Sequence, residues 1–254
     1  MPFNSIGVPF IELQSVDSSN NYALKQTHEG KSQHGMTFFA HEQLAGKGQR
    51  GKVWKSEKGA NIILSVIIQP DFLSVSDQFQ LSACVAVAVH DFFSQYAGND
   101  TKIKWPNDLY WQNKKAGGIL IANIIGSNAP GWKWAVVGIG ININQVSFSA
   151  DLKNPVSLKQ ITGKNFDTVK MAKELCKKLD SYYRQLMESG FENIYSYYLS
   201  HLYKKDQVVK LQKDKRVFTV TIKSVSPSGQ LIVQNAIEEH PMDIRFEFGE
   251  VEWL

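Results

Sequence analysis

One apolar run in the first third of the chain restricts the possible folds more than any other feature. Residues 61–69 read NIILSVIIQ, and the run is bounded by Gly59 and Pro70. A continuous β-branched run has no polar face, so it predicts a strand that is buried on both faces of its sheet. The run is interrupted by Ser65 and is far too short to span a membrane, so we expect no membrane partner.

The spacing of apolar residues elsewhere predicts helices and strands in alternation. Helical periodicity, polar capping residues and terminal glycines together predict four helices. The first runs from the cap at residues 17–19 to about Gly30, and the others are at residues 77–96, 168–187 and 191–203. Residues 8–13 form a short apolar segment, and strand-like segments are expected at residues 36–41, 101–105, 117–125 and 132–143.

The character of the sequence changes at about Asp206. Residues 207–254 alternate apolar and polar side chains with period two. Turn signals occur at residues 213–215, 227–229 and 249. This pattern predicts a small, separate all-β module of about five strands. We therefore expect two domains, residues 1–205 and residues 206–254.

One segment carries a local excess of positive charge. The formal net charge is +4, and most basic residues are spread along the chain, which is not the pattern of a nucleic-acid-binding protein. Five cations fall within twelve residues, and they are Lys47, Arg50, Lys52, Lys55 and Lys58. This cluster predicts an anionic partner at that point.

The two cysteines, Cys84 and Cys176, lie in apolar helical patterns, where we expect buried thiols. Neither a disulfide framework nor the spacing of a metal site is visible, and the histidines have no metal-ligand spacing. Residues 1–9 lack the pattern of a signal peptide. We therefore expect a reducing, cytoplasmic location and no transition-metal site.

The basic cluster begins in a glycine-rich loop, residues 46–52. Its first six residues, GKGQRG, match the dinucleotide fingerprint G-x-G-x-x-G. That fingerprint requires a helix directly after it, whereas residues 53–58 look irregular and a strand follows. Glycines let backbone N–H groups approach phosphate oxygens, and Lys47, Arg50 and Lys52 would neutralise the charge. A mobile surface loop with solvated charges explains the composition equally well.

Four segments, in this order, resemble the biotin protein ligases. The first is DSSNNYA at residues 17–23. The second runs from Gln43 through AGKGQRGKVW to Trp54 and is followed by GANIILSV. The third, at residues 104–120, contains KWPNDLYW and KKAGGIL, and the fourth is GIGININ at residues 138–144. Any one segment carries little weight. Four in order, together with the β-rich C-terminal module, cover nearly the whole chain.

The resemblance implies a fold and a reaction. The fold is α/β (α+β), a mixed and largely antiparallel sheet with flanking helices, followed by a small C-terminal SH3-like β-barrel. In the reaction, biotin attacks the α-phosphate of ATP in the presence of Mg²⁺ and forms biotinyl-5′-AMP. A lysine of a biotin carboxyl carrier protein domain then takes the biotin. Biotin and ATP are substrates, and no tightly bound prosthetic group is expected.

The resemblance also assigns roles to individual residues. The biotin-binding set is Ser18, Ser19, Asn20, Gln43, Lys47, Gly48, Gln49, Lys115 and Gly118. The set that binds ATP and the adenylate is Lys47, Arg50, Lys52, Trp54, Asn107 and Asn142. The catalytic set is Lys115, Asp108 and Arg50.

Lys115 and Asp108 would carry most of the chemistry. A cation between the biotin carboxylate and the α-phosphate stabilises charge at phosphorus, and Lys115 would supply it. From its local sequence alone, Lys115 is an exposed lysine in a turn. Asp108 has two candidate roles, holding Mg²⁺ on the phosphates or acting on the incoming lysine amine. Asn107 also fits an ordinary turn.

The loop departs from the G-R-G-R-x-G-R pattern that is common in the family. Lys47 and Lys52 replace arginines, which keeps the charge but loses the bidentate fork. Gln49 replaces another arginine and loses the charge, so the loop would hold the adenylate differently. The part that Arg50 takes in that role stays open.

Three other functions were considered. A biotin-sensing repressor is disfavoured, because the chain begins almost at once with the catalytic segment. A lipoate–protein ligase or octanoyltransferase shares the fold, but the KWPND segment and the glycine–lysine loop favour biotin. An inactive nucleotide-binding subunit would release no pyrophosphate. The resemblance permits a monomer or a homodimer, with the strand at 61–69 either at the interface or buried within the subunit.

Overall fold

The structure, a computed structural model, describes residues 4–126, 131–236, 238, 240 and 242–254. The first sheet contains β1 (Phe10–Leu13), β2 (Thr37–Ala40), β3 (Ile62–Ile68), β4 (Thr101–Lys104), β5 (Asp108–Trp111), β6 (Lys114–Ile125) and β7 (Trp132–Ile141). The second contains β8 (Val208–Lys213), β9 (Arg216–Val225), β10 (Leu231–Asn235), β11 (Asp243–Phe246) and β12 (Glu252–Trp253). The helices are α1 (Ser19–His28), α2 (Gln78–Ala97), α3 (Leu158–Thr162), α4 (Thr168–Ser189) and α5 (Glu192–Ser200).

The first sheet is mixed and mostly antiparallel, with the strand order β1-β2-β3-β7-β6-β5-β4. The β1–β2 pair is parallel, and the other pairs of this sheet are antiparallel. Every residue of β3 is buried, and β2 and β7 pair with its two edges. The prediction of a strand buried on both faces is confirmed. Because β3 lies in the interior of the sheet, it does not form an exposed surface for contact with a second subunit.

Helices cover both faces of this sheet. On one face, Ile67 of β3 packs in a small apolar cluster with its strand neighbours Phe38 and Val136 and with Ala23, which belongs to α1. The next residue, Ile68, points to the opposite face and belongs to the main core with residues of α2 and α4. Helix α2 is apolar on most sides because it lies among the sheet, α4 and α5.

The two thiols lie in α2 and α4, and both are buried, as the sequence predicts. Burial raises the pKa of Cys84 and raises the pKa of Cys176 to about 12. Both side chains therefore act as parts of the packing. In the part of the chain that the structure describes, no helix combines the length and apolarity needed to cross a bilayer.

The second sheet has the order β11-β10-β9-β8-β12, and its pairs are antiparallel. Its five strands confirm the number predicted from the alternating pattern. Trp105 Nε1 donates a hydrogen bond of 2.8 Å to the Gly229 carbonyl, and the Tyr195 hydroxyl donates one of 2.5 Å to the Val225 carbonyl. The second sheet is thus joined to the rest of the chain, and its apolar residues belong to the same core.

Some short elements differ from the predictions. The strand predicted at residues 101–105 ends at Lys104, a turn covers residues 105–107, and β5, which was not predicted, begins directly after it at Asp108. Lys115, read locally as a turn residue, lies in β6, because the turn is made before it with Gln112 at a φ of +51°. Helix α3 was not predicted, since its five residues are too few to show a helical period.

We predict that Ile68→Ala lowers the free energy of unfolding by about 2–5 kcal/mol, because it leaves a cavity in the main core. Lys133→Ala, at an exposed position on the neighbouring strand β7, should change it by less than about 0.5 kcal/mol. Urea denaturation followed by circular dichroism measures both. Equal losses in the two variants would contradict the buried position of β3.

Candidate active site

A patch of glycines at the centre of the first sheet forms the floor of the site. Gly118 of β6 lies directly opposite Gly140 of β7, and Gly138 lies two residues before Gly140 on the same face. Glycines in a strand leave room for another group to approach the main chain closely. Helix α1 covers the neighbouring part of this face, so the bare patch remains open beside it.

A cavity of about 1080 Å³ lies over the glycine patch. The glycine-rich loop, the start of α1, the turn between β4 and β5, and the end of the second sheet form its walls. Every residue that the resemblance assigns borders it: Ser18, Ser19, Asn20, Gln43, Lys47, Gly48, Gln49, Arg50, Lys52, Trp54, Asn107, Asp108, Lys115, Gly118 and Asn142. Segments that are far apart in the sequence therefore meet at one place.

One wall of the cavity is built around the first turn of α1. Ser18 caps this helix and accepts a hydrogen bond from the main-chain N–H of Asn21. Gln43 Oε1 accepts bonds from the main-chain N–H of Ser19 at 2.7 Å and from its hydroxyl at 3.0 Å. The Ser19 hydroxyl also lies 2.9 Å from that of Ser65 on β3. These bonds fix a polar wall without net charge.

Two side-chain donors on the glycine patch have no hydrogen-bond partner among the described residues. They are Asn20 Nδ2 and Trp54 Nε1, and both are buried. A Cβ added at Gly138 would lie 3.1 Å from Asn20 Nδ2, and one at Gly140 would lie 2.5 Å from Trp54 Cε2. Leaving a buried donor unpaired costs about 1–3 kcal/mol. Both donors therefore suit a ligand that brings its own acceptors.

The glycine-rich loop folds back as a short hairpin. The Gly48 N–H donates to the Lys52 carbonyl at 2.7 Å, and the Trp54 N–H donates to the Gly46 carbonyl at 2.9 Å. A Cβ at Gly46 would lie 2.4 Å from the Trp54 carbonyl oxygen, so this position requires glycine. The structure thus differs from the alternative of an unstructured surface loop.

Arg50 occupies the tip of this hairpin. Its φ is +54°, an uncommon value for a residue with a side chain. Its guanidinium lies against the turn between β11 and β12, since a Cβ added at Gly249 would lie 2.7 Å from Arg50 Nη2. The loop therefore connects the cavity to the last turn of the chain.

An ion pair borders the glycine patch. Lys115 Nζ lies 2.6 Å from Asp108 Oδ1, and both side chains are half-buried. Gly118 is the cross-strand partner of Asp108, and a Cβ there would lie 3.4 Å from Asp108 Oδ1 and 3.6 Å from Lys115 Nζ. The pair thus presents one cation and one anion to any group that lies on the patch.

Three amide side chains are fixed on the cavity wall by the main chain. Asn107 Nδ2 donates to the Ile119 carbonyl, and Gln49 Nε2 donates to the same oxygen at 3.4 Å. Asn142 Nδ2 donates to the Val156 carbonyl at 3.1 Å. The loop residue Gln49 and the β4–β5 turn residue Asn107 are thereby held side by side.

Lys104 also borders the cavity, although the resemblance assigns it no role. Its Nζ donates to the Tyr110 hydroxyl at 3.0 Å and lies 5.0 Å from the centre of the Trp253 ring. Burial lowers the pKa of Lys104 to about 8, and the charge of Asp108 opposes that shift. Lys104 is the first residue of the KWPND segment, so the resemblance could have indicated it as a site residue. Its contact with the last strand of the chain could not be predicted, because nothing in the local sequence indicates it.

Two carboxylates that line the cavity are held in ion pairs. Asp108 is paired with Lys115, and Asp151 is paired with Lys55 at 3.2 Å. Over residues 4–126, 131–236 and the described positions beyond them, no cluster of three His, Cys, Asp or Glu side chains could hold a metal ion. The role of Asp108 as a Mg²⁺ ligand stays a prediction, because Mg²⁺ also binds through one or two carboxylates and substrate phosphates.

The sequence is similar to proteins of one family. The model of the biotin/lipoate A/B protein ligase family matches residues 12–142. The bifunctional ligase/repressor BirA of Bacillus spizizenii is 33% identical over 184 residues, which cover 71% of this chain and 56% of that protein. The biotin–[acetyl-CoA-carboxylase] ligase of Paracoccus denitrificans is 27% identical over 228 residues, 87% of this chain and 92% of that protein.

Solved structures show the same similarity. Biotin protein ligase from Aquifex aeolicus in complex with biotin and ATP has a TM-score of 0.78 at 25% identity, and the match covers 96% of this chain and 98% of that one. The Leishmania major enzyme in complex with biotinyl-5-AMP shares the fold, with a TM-score of 0.59 at 20% identity. The chain spans a little over half the length of the Bacillus relatives that it matches.

We predict that Gly140→Ala displaces the Trp54 indole, because the new methyl would lie 2.5 Å from Trp54 Cε2. The indole N–H signal of Trp54 in a ¹⁵N–¹H spectrum should shift, and the free energy of unfolding should fall by about 1–3 kcal/mol. In a Trp54→Ala background the methyl has room, so the same substitution should cost little. An equal cost in both backgrounds would contradict the packing of Trp54 on Gly140.

Proposed function

Because the chain belongs to the biotin/lipoate A/B protein ligase family, we propose that it is a biotin protein ligase. It activates biotin with ATP and transfers the biotin to a lysine of a biotin carboxyl carrier protein domain of a carboxylase. One observation carries the proposal, namely that the residues assigned to biotin, to ATP and to catalysis border a single cavity. Relatives named for biotin ligation, one of them solved with biotin and ATP, support the same substrates.

The biotin head group would lie at the α1 end of the cavity. Its ureido ring is neutral and offers one carbonyl acceptor and two N–H donors, which suits an uncharged polar wall. The unpaired donor Asn20 Nδ2 would bind the carbonyl, and the hydroxyls of Ser18 and Ser19 lie beside it. Gln43 holds Ser19 in place, and Gly118 lets the ligand lie against the main chain.

The nucleotide would occupy the loop side of the cavity. Trp54 offers both a ring for stacking and an unpaired N–H, and Asn107 and Asn142 offer amide groups to the adenine. The phosphates would lie under the hairpin, where main-chain N–H groups and cations are available. The cations assigned to them are Lys47, Arg50 and Lys52.

In the first step, a biotin carboxylate oxygen forms a bond to the α-phosphorus of ATP, and the bond from that phosphorus to the bridging oxygen of pyrophosphate breaks. Two anions must approach each other, so a cation between them lowers the barrier strongly. Lys115 is suited to this role because its Nζ is half-buried at the edge of the glycine patch. Asp108 keeps that ammonium directed toward the patch until the substrates replace the ion pair.

In the second step, the amine of the acceptor lysine attacks the biotinyl carbonyl, and the bond from that carbon to the phosphate oxygen breaks. AMP leaves, and the amine must lose a proton. Asp108 is the carboxylate nearest to Lys115 and is free to accept that proton once Lys115 has turned to the phosphate. This role also accounts for the position of Asp108 at the open start of β5.

Mg²⁺ remains a prediction, and no step above depends on it. Mg²⁺ commonly binds through substrate phosphates and one or two carboxylates while keeping several waters. We propose that Mg²⁺ enters with ATP, and that Asp108 serves the transfer step, for which its contact with Lys115 places it.

The finer architecture is also a proposal. We propose that the second sheet is a separate SH3-like barrel from about residue 206, and that residues 1–205 form the catalytic domain. The antiparallel order of its five strands supports the barrel. We also propose a cytoplasmic location and a monomer or homodimer.

The function is tested by incubating the protein with ATP and Mg²⁺ and with biotin, lipoate or octanoate in turn. Chromatography would measure the adenylate, and a purified carrier domain with its acceptor lysine, or with that lysine replaced by arginine, would test transfer. We expect biotinyl-5′-AMP and lysine-dependent labelling with biotin alone. Turnover of lipoate or octanoate in its place would favour a lipoate ligase, and no pyrophosphate release with any acid would indicate an inactive nucleotide-binding subunit.

We predict that Lys115→Ala slows adenylate formation by at least about 100-fold while biotin binding stays measurable, because the cation acts mainly on the transition state. Pyrophosphate release and calorimetric biotin titration measure the two effects. Lys114→Ala, at the exposed neighbouring position, is the matched control and should keep the wild-type rate. Wild-type pyrophosphate release by Lys115→Ala would remove Lys115 from the catalytic set.

We predict that Gln49→Arg slows release of the adenylate by about threefold, since one exposed charge contact contributes ~0.7 kcal/mol. The new guanidinium would replace a side chain that now reaches only the Ile119 carbonyl. Gln49→Glu is the opposite control and should speed the release. Filter binding of preformed labelled adenylate gives the rates, and equal or faster loss from Gln49→Arg would count against the role of the loop in holding the adenylate.

A further inference from the structure

Lys104 lies next to the carboxylate on which the second step depends. It is the last residue of β4, and its Cα is the direct cross-strand partner of the Cα of Asp108, the first residue of β5. Direct partners in an antiparallel pair project their side chains on the same face, with Cβ atoms about 4.5–5.5 Å apart. Asp108 therefore has a lysine on each side, Lys104 from β4 and Lys115 from β6.

Three aromatic rings enclose the Lys104 ammonium. Its Nζ lies 4.5 Å from the centre of the Tyr110 ring, 5.0 Å from that of Trp253 and 5.7 Å from that of Tyr203. The Tyr110 hydroxyl also accepts a hydrogen bond from it. A cation over ring faces is held in position without a counter-ion. Among the described residues, Lys104 forms no salt bridge with a carboxylate.

The arrangement leaves one carboxylate between two cations. In the free site, Asp108 pairs with Lys115. If Lys115 turns to the biotin carboxylate and the α-phosphate, Asp108 loses that partner just before the transfer step needs it. A half-buried carboxylate without a counter-charge is unfavourable and free to rotate. Lys104 is held by aromatic rings rather than by an anion, so it can remain beside Asp108 at that stage.

We propose that Lys104 is a positioning residue that keeps Asp108 oriented for the transfer step, and that Trp253 of the second sheet holds Lys104 in place. This inference rests on the proposed biotin ligase function. It gives β12 a defined effect on the chemistry, since the indole of Trp253 forms part of the enclosure around the ammonium.

The test separates the two steps of the reaction in Lys104→Met and Lys104→Arg. Single-turnover transfer from preformed biotinyl-5′-AMP to the carrier domain should slow by about 10-fold to 100-fold in Lys104→Met, while pyrophosphate release changes by less than about threefold. Lys104→Arg should recover most of the transfer rate, because a guanidinium also stacks on aromatic rings. Lys102→Met, on the same strand and outside the cavity lining, should leave both steps unchanged.

A second variant covers the case in which Lys104→Met does not fold. Trp253→Leu should slow transfer selectively with Lys104 intact, and Trp253→Phe, which keeps a ring, should slow it less. Thermal unfolding of each variant shows whether it is folded. Equal slowing of both steps, a raised KM for ATP with normal transfer, or no rescue by Lys104→Arg would each overturn the proposal. A wild-type protein that forms no biotinyl-5′-AMP would instead refute the ligase function itself.

Discussion

The bare main chain at Gly118, Gly138 and Gly140 determines where everything else in the site can lie. These glycines face the same side of the first sheet as Ile67, whose neighbours are covered by α1, while the opposite face packs against α2 and α4. A side chain at Gly138 or Gly140 would meet Asn20 or Trp54, and one at Gly118 would lie against the Asp108–Lys115 pair. The cavity therefore follows from the absence of side chains in a sheet that is otherwise packed on both faces.

Charge is distributed unevenly around this floor. The α1 wall is polar and has no formal charge, the Asp108–Lys115 pair lies at the edge of the glycine patch, and the hairpin contributes Lys47, Arg50 and Lys52 to the lining. Such a lining suits a pair of substrates that together bring a neutral head group, a carboxylate and phosphates. The aromatic enclosure of Lys104 extends the same arrangement to the second sheet, so the C-terminal strands contribute to the electrostatics as well as to the core.

The local sequence predicted the elements whose pattern is local. Strand β3, helices α2 and α4, and the five C-terminal strands each carry their own periodicity, and the structure contains them. Strand β5 and helix α3 are too short for a period to appear. The site residues came from the resemblance, because contacts such as Trp54 on Gly140 or Trp253 beside Lys104 join segments that are distant in sequence. A glycine in a strand shows only that space is needed, not which side chain fills it.

The central claim is that one cavity holds biotin and ATP over the glycine patch, with Lys115 between the carboxylate and the α-phosphate. Diffraction data from crystals grown with biotin and a non-hydrolysable ATP analogue test this most directly. The account predicts the Lys115 Nζ within about 3.2 Å of an oxygen of the carboxylate or of the α-phosphate, with the Asp108–Lys115 pair opened. Ligands bound away from the patch, or Lys115 still paired with Asp108 and out of reach of both groups, would contradict it.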